Sequence, residues 1–270
     1  MIAGKTWREI RWMALAYLVV LELLAVPVIL LWPDIYPDLQ RSTLLRNPGM
    51  DWVKRIGDGV GNRDEDVAYR AWCAIMLFFR STNLVCTAGA VLLGTGLFAR
   101  EREAQTLEFL LARPVSRGRI LWQKTWPTAV ALVVPIFLVN ASAIWWSSRI
   151  EMELPFAETM RASMHAAAFT LFFLATTTWV SVKCRVQAHV AAWVGAAAVL
   201  QIGVYLTQRI RPYSLFRLVD FDWYAPLLAG NLPLRHMFDP TAGPAFTSWL
   251  LLGASAFWFA AWRALRRLEP

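Results

Sequence analysis

The feature that most restricts the fold of this chain is a run of residues, 13–32, in which Glu22 is the only charged side chain. A helix rises about 1.5 Å per residue, so this run covers ~30 Å, the thickness of the hydrocarbon part of a bilayer. A secretory signal peptide would have a shorter apolar run and would end at small residues, whereas this run ends in Trp32-Pro33. The run therefore predicts a membrane-spanning helix.

Further apolar segments follow along the chain, and they have the length of membrane spans. The composition agrees, since 57% of the 270 residues are hydrophobic and only 17% are charged. The sequence therefore predicts an all-α polytopic membrane protein with one transmembrane domain over residues 1–270. The second span is longer than one bilayer, so we expect its helix to project or break near Arg80. The six expected spans are residues 13–32, 71–99, 125–147, 162–182, 187–207 and 245–262.

The basic residues indicate how these spans are oriented. With the N-terminus in the cytoplasm, the cytoplasmic segments contain 14 Lys and Arg residues and the outer segments contain 12. The inner segments are much shorter, so their density of basic residues is about twofold higher, as the positive-inside rule requires. Both termini are then cytoplasmic, and the long outer loops are 33–70 and 208–244. Residues 1–12 alternate basic and apolar side chains, which predicts an amphipathic helix in the membrane interface.

Several other classes of protein are excluded or disfavoured. The net charge of +8 comes from residues at the ends of apolar runs, which is typical of membrane anchoring rather than of nucleic-acid binding. The three cysteines, Cys73, Cys86 and Cys184, have no Cys-x-x-Cys spacing, so neither a disulfide framework nor a zinc site is expected. An intramembrane enzyme is disfavoured because the spans contain no Asp.

The most strongly charged stretch, REREAQTLEFLLARPVSRGRILWQK (residues 100–124), lies between the second and third spans. Thr106 is expected to cap a short helix that Pro114 ends, and Ser116 to cap the helix of the third span. Two interpretations remain open for this short helix. It is either an interfacial helix in lipid or a docking helix whose apolar side chains bind a cytoplasmic partner. Its apolar stripe consists of Leu107, Leu110 and Leu111.

Residues 98–124 resemble the signature of ABC-2-type exporter permeases. In that family the second span leads into Glu-x-Glu-x-Gly-Thr, a leucine-rich helix, Pro-Val-Ser-Arg and a Lys at the start of the third span. This sequence departs from the pattern at Gln105, where the family usually has Gly. The residues that match are Glu101, Glu103, Thr106, Leu107, Leu110, Leu111, Pro114, Val115, Ser116, Arg117 and Lys124.

The resemblance implies a function for these segments. Residues 1–12 would be the elbow helix, and residues 100–118, the coupling segment, would hold a coupling helix that docks onto a nucleotide-binding subunit. A second permease copy or a paralogue would complete the pathway, in the cytoplasmic (inner) membrane of a bacterium. No Walker A motif is present, so ATP and Mg²⁺ belong to the partner ATPase and this chain carries no cofactor. A mechanotransmitter of the same family, which acts on an envelope partner without moving a substrate, is the alternative.

Four polar residues inside the expected spans are further candidates. Glu22 lies near the bilayer midplane, where a charge is costly and faces protein or water. It either lines the pathway, pairs across the dimer or is hydrogen-bonded inside the bundle. Asn83, Asn140 and Gln201 either line a cavity or form hydrogen bonds between helices.

Overall fold

The computed structural model describes residues 2–41, 51–112 and 114–268, and no strand occurs within these ranges. The helices, in chain order, are α1 (Ile2–Leu30), α2 (Trp32–Arg41), α3 (Asp51–Val60), α4 (Glu65–Cys73), a π-helix (Ala74–Leu84), α5 (Val85–Thr95), α6 (Ala99–Glu103), α7 (Leu107–Leu111), α8 (Arg117–Arg149), α9 (Phe156–Lys183), α10 (Gln187–Leu206), two 3₁₀ helices (Arg211–Tyr213 and Leu215–Val219), α11 (Phe221–Leu228), α12 (Leu234–Phe238) and α13 (Phe246–Arg266).

Five helical stretches in the described part of the chain are long and apolar enough to cross a membrane. They overlap the first five expected spans, most of them extending several residues beyond the expected bounds, and they confirm an integral, polytopic membrane protein. The sixth expected span is α13, which has 21 residues but is less apolar, because it contains three Trp, two Ser and one Thr as well as Arg263 and Arg266. The five stretches are Ala3–Leu30, Glu65–Glu103, Arg117–Arg149, Phe156–Lys183 and Gln187–Leu206.

Helix α1 runs without a break from Ile2 to Leu30. Its buried side chains recur at about helical spacing along one face, which packs against α8, and the opposite face is exposed. The expected amphipathic segment 1–12 therefore differs from the structure, in which the described part of it forms the first turns of the spanning helix. The boundary expected at residue 12 is absent because no capping residue or helix breaker stands there. The buried face contains Ile10, Tyr17, Leu21, Ala25 and Ile29.

The irregularity expected near Arg80 is a π-helix of 11 residues, Ala74–Leu84, between α4 and α5. The hydroxyls of Ser81 and Thr82 donate hydrogen bonds to the carbonyls five residues earlier, at 2.7 and 2.8 Å. The helix therefore widens here instead of breaking, and Arg80 remains exposed on its surface. Pro127 and Pro135, the expected kink positions of the third span, both lie inside α8.

Residues 207–245 form a compact cap of short helices at one end of the bundle. Tyr224 on α11 is fully buried, and its hydroxyl exchanges hydrogen bonds with the Asn83 amide at 2.9 and 3.3 Å. The ring of His165 on α9 is bonded through both nitrogens, to the Thr247 hydroxyl at 2.8 Å and to the Leu218 carbonyl at 2.7 Å. These bonds attach the cap to the spans.

Helix α13 packs along α9 and runs in the same direction. Thr247, at the start of α13, contacts His165 near the start of α9. Further along, Phe257 packs against Phe172 and Trp179, with ring centroids 5.6 and 5.5 Å apart. The two helices therefore cover the same depth of the bundle.

The cap also contains a buried ion pair. Arg211 donates to Asp220 at 2.7 Å, and the more exposed Asp222 lies 3.8 Å from the same guanidinium. Burial is the largest effect on the pKa of the Asp220 carboxyl, the charge of Asp222 adds to it and Arg211 opposes both, so the pKa is raised from 3.8 to about 6. In this pair the cost of removing the carboxylate from water is greater than the attraction that Arg211 supplies.

We expect the stability of the protein to fall as the pH rises through the pKa of Asp220. The ordinary pKa is 3.8 and the folded-state pKa is about 6, so in this range the folded chain binds a proton that the unfolded chain does not. The stabilisation is complete below the lower value, is lost through the upper one, and amounts to at most about 3 kcal/mol. Thermal unfolding at about pH 5 and about pH 7 should show this loss, and Asp220→Asn should reduce it. Parallel pH profiles for the two proteins would contradict the assignment.

Candidate coupling site

The coupling segment begins where the second span ends, and Ser181 on α9 fixes this point. The Ser181 hydroxyl donates to the Thr95 carbonyl at 2.9 Å and accepts the amides of Phe98 and Ala99 at 3.1 and 3.0 Å. One side chain thus supplies hydrogen-bond partners for a carbonyl in the last turn of α5 and for two amides at the start of α6. The coupling segment is therefore attached to α9 as well as to the span that precedes it.

A buried lysine holds the start of the coupling segment against α8. Lys124 is 5% exposed, and its ammonium donates to the Glu101 carboxylate at 2.7 Å and to the Leu97 carbonyl at 2.8 Å. Lys5 on α1 approaches the same carboxylate at 3.6 Å. Glu101 therefore lies between cations from two different helices. It joins the N-terminal turns of α1, the coupling segment and the start of the third span.

The turn between α6 and α7 requires a backbone conformation that favours glycine. Gln105 has a φ of 55°, in the left-handed region. The Thr106 amide and hydroxyl both donate to the Glu101 carbonyl, at 2.8 and 3.3 Å. The expected cap at Thr106 is therefore only half right: Thr106 precedes the helix, but its hydroxyl does not bond to a helix amide.

Replacing Gln105 by Gly should stabilise the protein by about 0.5–1 kcal/mol, because the left-handed strain of a residue with a Cβ is removed. Thermal unfolding of the purified protein would measure the gain. Ala104→Gly is the matched control, since Ala104 has an ordinary φ of −80° and is exposed. This control should be neutral or destabilising. A gain in both variants, or in neither, would show that the turn is not strained.

The leucine stripe faces the protein and not the exterior. Leu107, Leu110 and Leu111 are 6%, 9% and 6% exposed, and they belong to the main apolar core. Neither of the two interpretations given above, leucines in lipid or leucines bound to a partner, describes this conformation, because the stripe holds a five-residue helix onto the bundle. Phe109, on the opposite face, is 77% exposed.

The rest of the coupling segment is attached to its neighbours by hydrogen bonds. Glu103 accepts the Gln187 amide at the start of α10, at 3.2 Å. Arg117 donates to the Leu111 carbonyl at the end of α7, at 3.2 Å. Ser116 caps α8 by accepting the Arg119 amide at 3.3 Å, as predicted. Pro114 lies in the exposed link between α7 and α8, where it can end α7 as expected.

A cleft of about 740 Å³ separates the first turns of α1 from the coupling segment. Lys5, Arg8 and Glu9 line one wall, and Thr106 and Phe109 line the other. The cleft presents an exposed aromatic ring beside charges of both signs. Such a surface suits protein docking, in which an aromatic anchor is surrounded by a polar rim.

The four polar candidates inside the spans have different surroundings. Glu22 accepts a hydrogen bond from Ser142 on α8 at 2.9 Å, so it is bonded within the chain. The Asn83 side chain pairs with Tyr224, as described above, and Gln201 accepts the Leu215 amide at 2.9 Å. These three make bonds between elements, as the packing alternative predicted. Asn140 is fully buried, and its amide has no partner among the described residues.

Sequence reasoning missed three residues of this site, and two of them had a detectable signal. Phe109 is an aromatic residue on the polar face of an amphipathic helix, which periodicity alone could have identified. Lys5 belongs to a basic cluster that was assigned only to lipid. Ser181 gave no signal, because a serine inside an apolar span does not indicate a contact with a helix end.

Comparison with known protein families identifies the family to which this chain belongs. The model of the ABC-2 family of transporter proteins matches residues 10–211, which include the first five spans and the whole coupling segment. No curated protein matches the chain. The match covers well over half of the 270 residues. The chain therefore belongs to the ABC-2 family of transporter proteins, as a membrane-spanning member.

Proposed function

We propose that this chain is the permease subunit of an ABC exporter and that a separate ATPase subunit docks on its coupling segment. The observation that carries the proposal is the combination of Phe109, exposed on the surface of α7, with Glu101, which is held by lysines from two helices. A force on Phe109 would reach α1 through Lys5 and α8 through Lys124. The coupling segment is thus connected to the helices that a transport cycle must move.

In the proposed assembly, two permease subunits form the pathway and both termini are cytoplasmic. Helix α13 would be the sixth span. Its packing along α9 over the same depth of the bundle supports this assignment. The inner membrane of a bacterium is the expected location, and ATP and Mg²⁺ are bound by the ATPase. The mechanotransmitter alternative keeps the same docking and differs only in whether a substrate moves. Transport assays with the ATPase present would distinguish the two.

The proposal is tested by co-purification with candidate ATPase subunits and by measurement of ATP hydrolysis. Phe109→Asp should abolish co-purification, because an aromatic hot-spot residue is worth ≥ ~2 kcal/mol at an interface. The variant should still insert and fold, since Phe109 is exposed. Phe156→Asp is the matched control, because Phe156 is 67% exposed at the opposite end of the bundle. If Phe109→Asp retains the ATPase, the coupling segment is not its docking site.

A further inference from the structure

An apolar groove lies on the flank of the bundle between α9, α10 and α13. Its volume is about 440 Å³, and we call it the flank groove. Its wall on α9 extends from Phe172 to Lys183, which is ~17 Å at about 1.5 Å per residue. This length is close to half of the ~30 Å hydrocarbon thickness, and hence to one leaflet of a bilayer. The apolar lining includes Phe172, Trp179, Trp193, Ala197, Leu215 and Phe257.

One end of the flank groove is basic. The Lys183 ammonium lies 4.2 Å from the centre of the Trp179 ring and lines the groove. Arg102 donates to the Lys183 carbonyl at 3.0 Å, and Arg185 is exposed two residues further on. The neighbouring carboxylate, Glu103, already accepts a backbone amide. Lys183 thus lines the groove, and Arg102 and Arg185 lie close to it, so that the cations at this end outnumber the single carboxylate of Glu103.

We propose that the flank groove binds one acyl chain of an anionic phospholipid, with the headgroup phosphate held by Lys183 and Arg185. The length and apolar lining suit an acyl chain, and the basic mouth attracts an anionic headgroup. The placement of Trp179 and Lys183 is typical of side chains at a membrane interface, where Lys extends towards the headgroups.

A second copy of the chain is a less suitable occupant. Among the described residues, the segments that meet at the end of the bundle with the coupling segment contain 13 Lys and Arg residues and only four Glu residues. A second copy would bring the same excess of positive charge to the mouth of the groove. An anionic lipid supplies the opposite charge, so charge complementarity favours the lipid.

Native mass spectrometry of the detergent-purified chain tests the headgroup part of the proposal. The chain is titrated with phosphatidylglycerol and with phosphatidylcholine of the same acyl chains. We expect one phosphatidylglycerol per chain, bound in preference. Lys183→Glu should weaken its binding at least about fivefold, which corresponds to ~1 kcal/mol. Arg149→Glu is the matched control, because Arg149 lies 4.6 Å from the ring of Trp145 at the opposite end of the bundle.

Ala197→Trp tests the groove itself, because the larger side chain fills the apolar space and Ala197 is exposed. Neither lipid should then bind in the groove, while the melting temperature of the protein stays unchanged. Equal binding of the two lipids, unaffected by Lys183→Glu, would overturn the proposal. Displacement of the lipid by inorganic phosphate would also overturn it, since the site would then bind a free anion. So would an Ala197→Trp protein that keeps its bound lipid but no longer forms a dimer. None of these measurements involves an ATPase, so their outcome is independent of the proposed function.

Discussion

Replacing Lys124 by Met should destabilise the protein by about 3 kcal/mol, because the substitution leaves the Glu101 carboxylate partly buried without its main counter-charge. The side chain of Glu101 is only 13% exposed, and Lys5, at 3.6 Å, cannot form the short hydrogen bond that Lys124 makes. The Leu97 carbonyl loses its donor as well. Unfolding of the purified protein in mixed micelles measures the loss.

A double-mutant cycle separates this interaction from general damage. Glu101→Gln combined with Lys124→Met should cost less than the sum of the two single changes, by at least about 1 kcal/mol. The exposed pair of Arg235 and Asp239, 2.9 Å apart, is the control, and its cycle should give well under about 1 kcal/mol. Additive losses at Glu101 and Lys124 would show that Lys124 acts through packing alone. The coupling segment would then lack the link to α8 on which the proposed function depends.

The spans could be predicted because a bilayer imposes a length and a composition on each one. The five apolar stretches overlap the predicted spans, but four of them begin 6 to 10 residues earlier than predicted, because the helices continue past the hydrocarbon-length runs from which the spans were predicted. Helix α13 is the instructive exception. Its Trp, Ser and Thr residues lower its mean hydropathy, and only its packing along α9 shows that it reaches the same depth.

The position of the coupling segment could be predicted from its charge and its motif. Which face of its short helix packs against the bundle could not be predicted. An amphipathic helix of five residues has one apolar stripe, and the sequence does not show whether that stripe meets the same chain or a partner. The stripe of Leu107, Leu110 and Leu111 is buried because such a short helix is unstable without tertiary contacts. The pairing of Glu101 with Lys124 depends on helices separated in sequence, so spacing alone could not specify it.

Gln105 shows how a departure from a motif can be interpreted in physical terms. The family pattern has Gly at this position, and the structure shows a left-handed φ there. The backbone therefore requires what glycine supplies, and this chain tolerates glutamine at a local cost. The bonds of Thr106 to the Glu101 carbonyl hold the turn in place despite that cost.

Replacing Leu110 by Asp should destabilise the protein by about 3 kcal/mol, because the change removes a buried apolar side chain and buries a charge. Phe109→Asp should change the stability by no more than about 0.5 kcal/mol, since Phe109 is exposed. Unfolding in mixed micelles, together with limited proteolysis of the coupling segment, measures both effects. If Leu110→Asp no longer co-purifies with the ATPase, the cause would therefore be an unfolded coupling segment. If Phe109→Asp no longer co-purifies, the cause would be the loss of a direct contact. A Leu110→Asp protein that is as stable as the native chain would mean that the leucine stripe is free to dock.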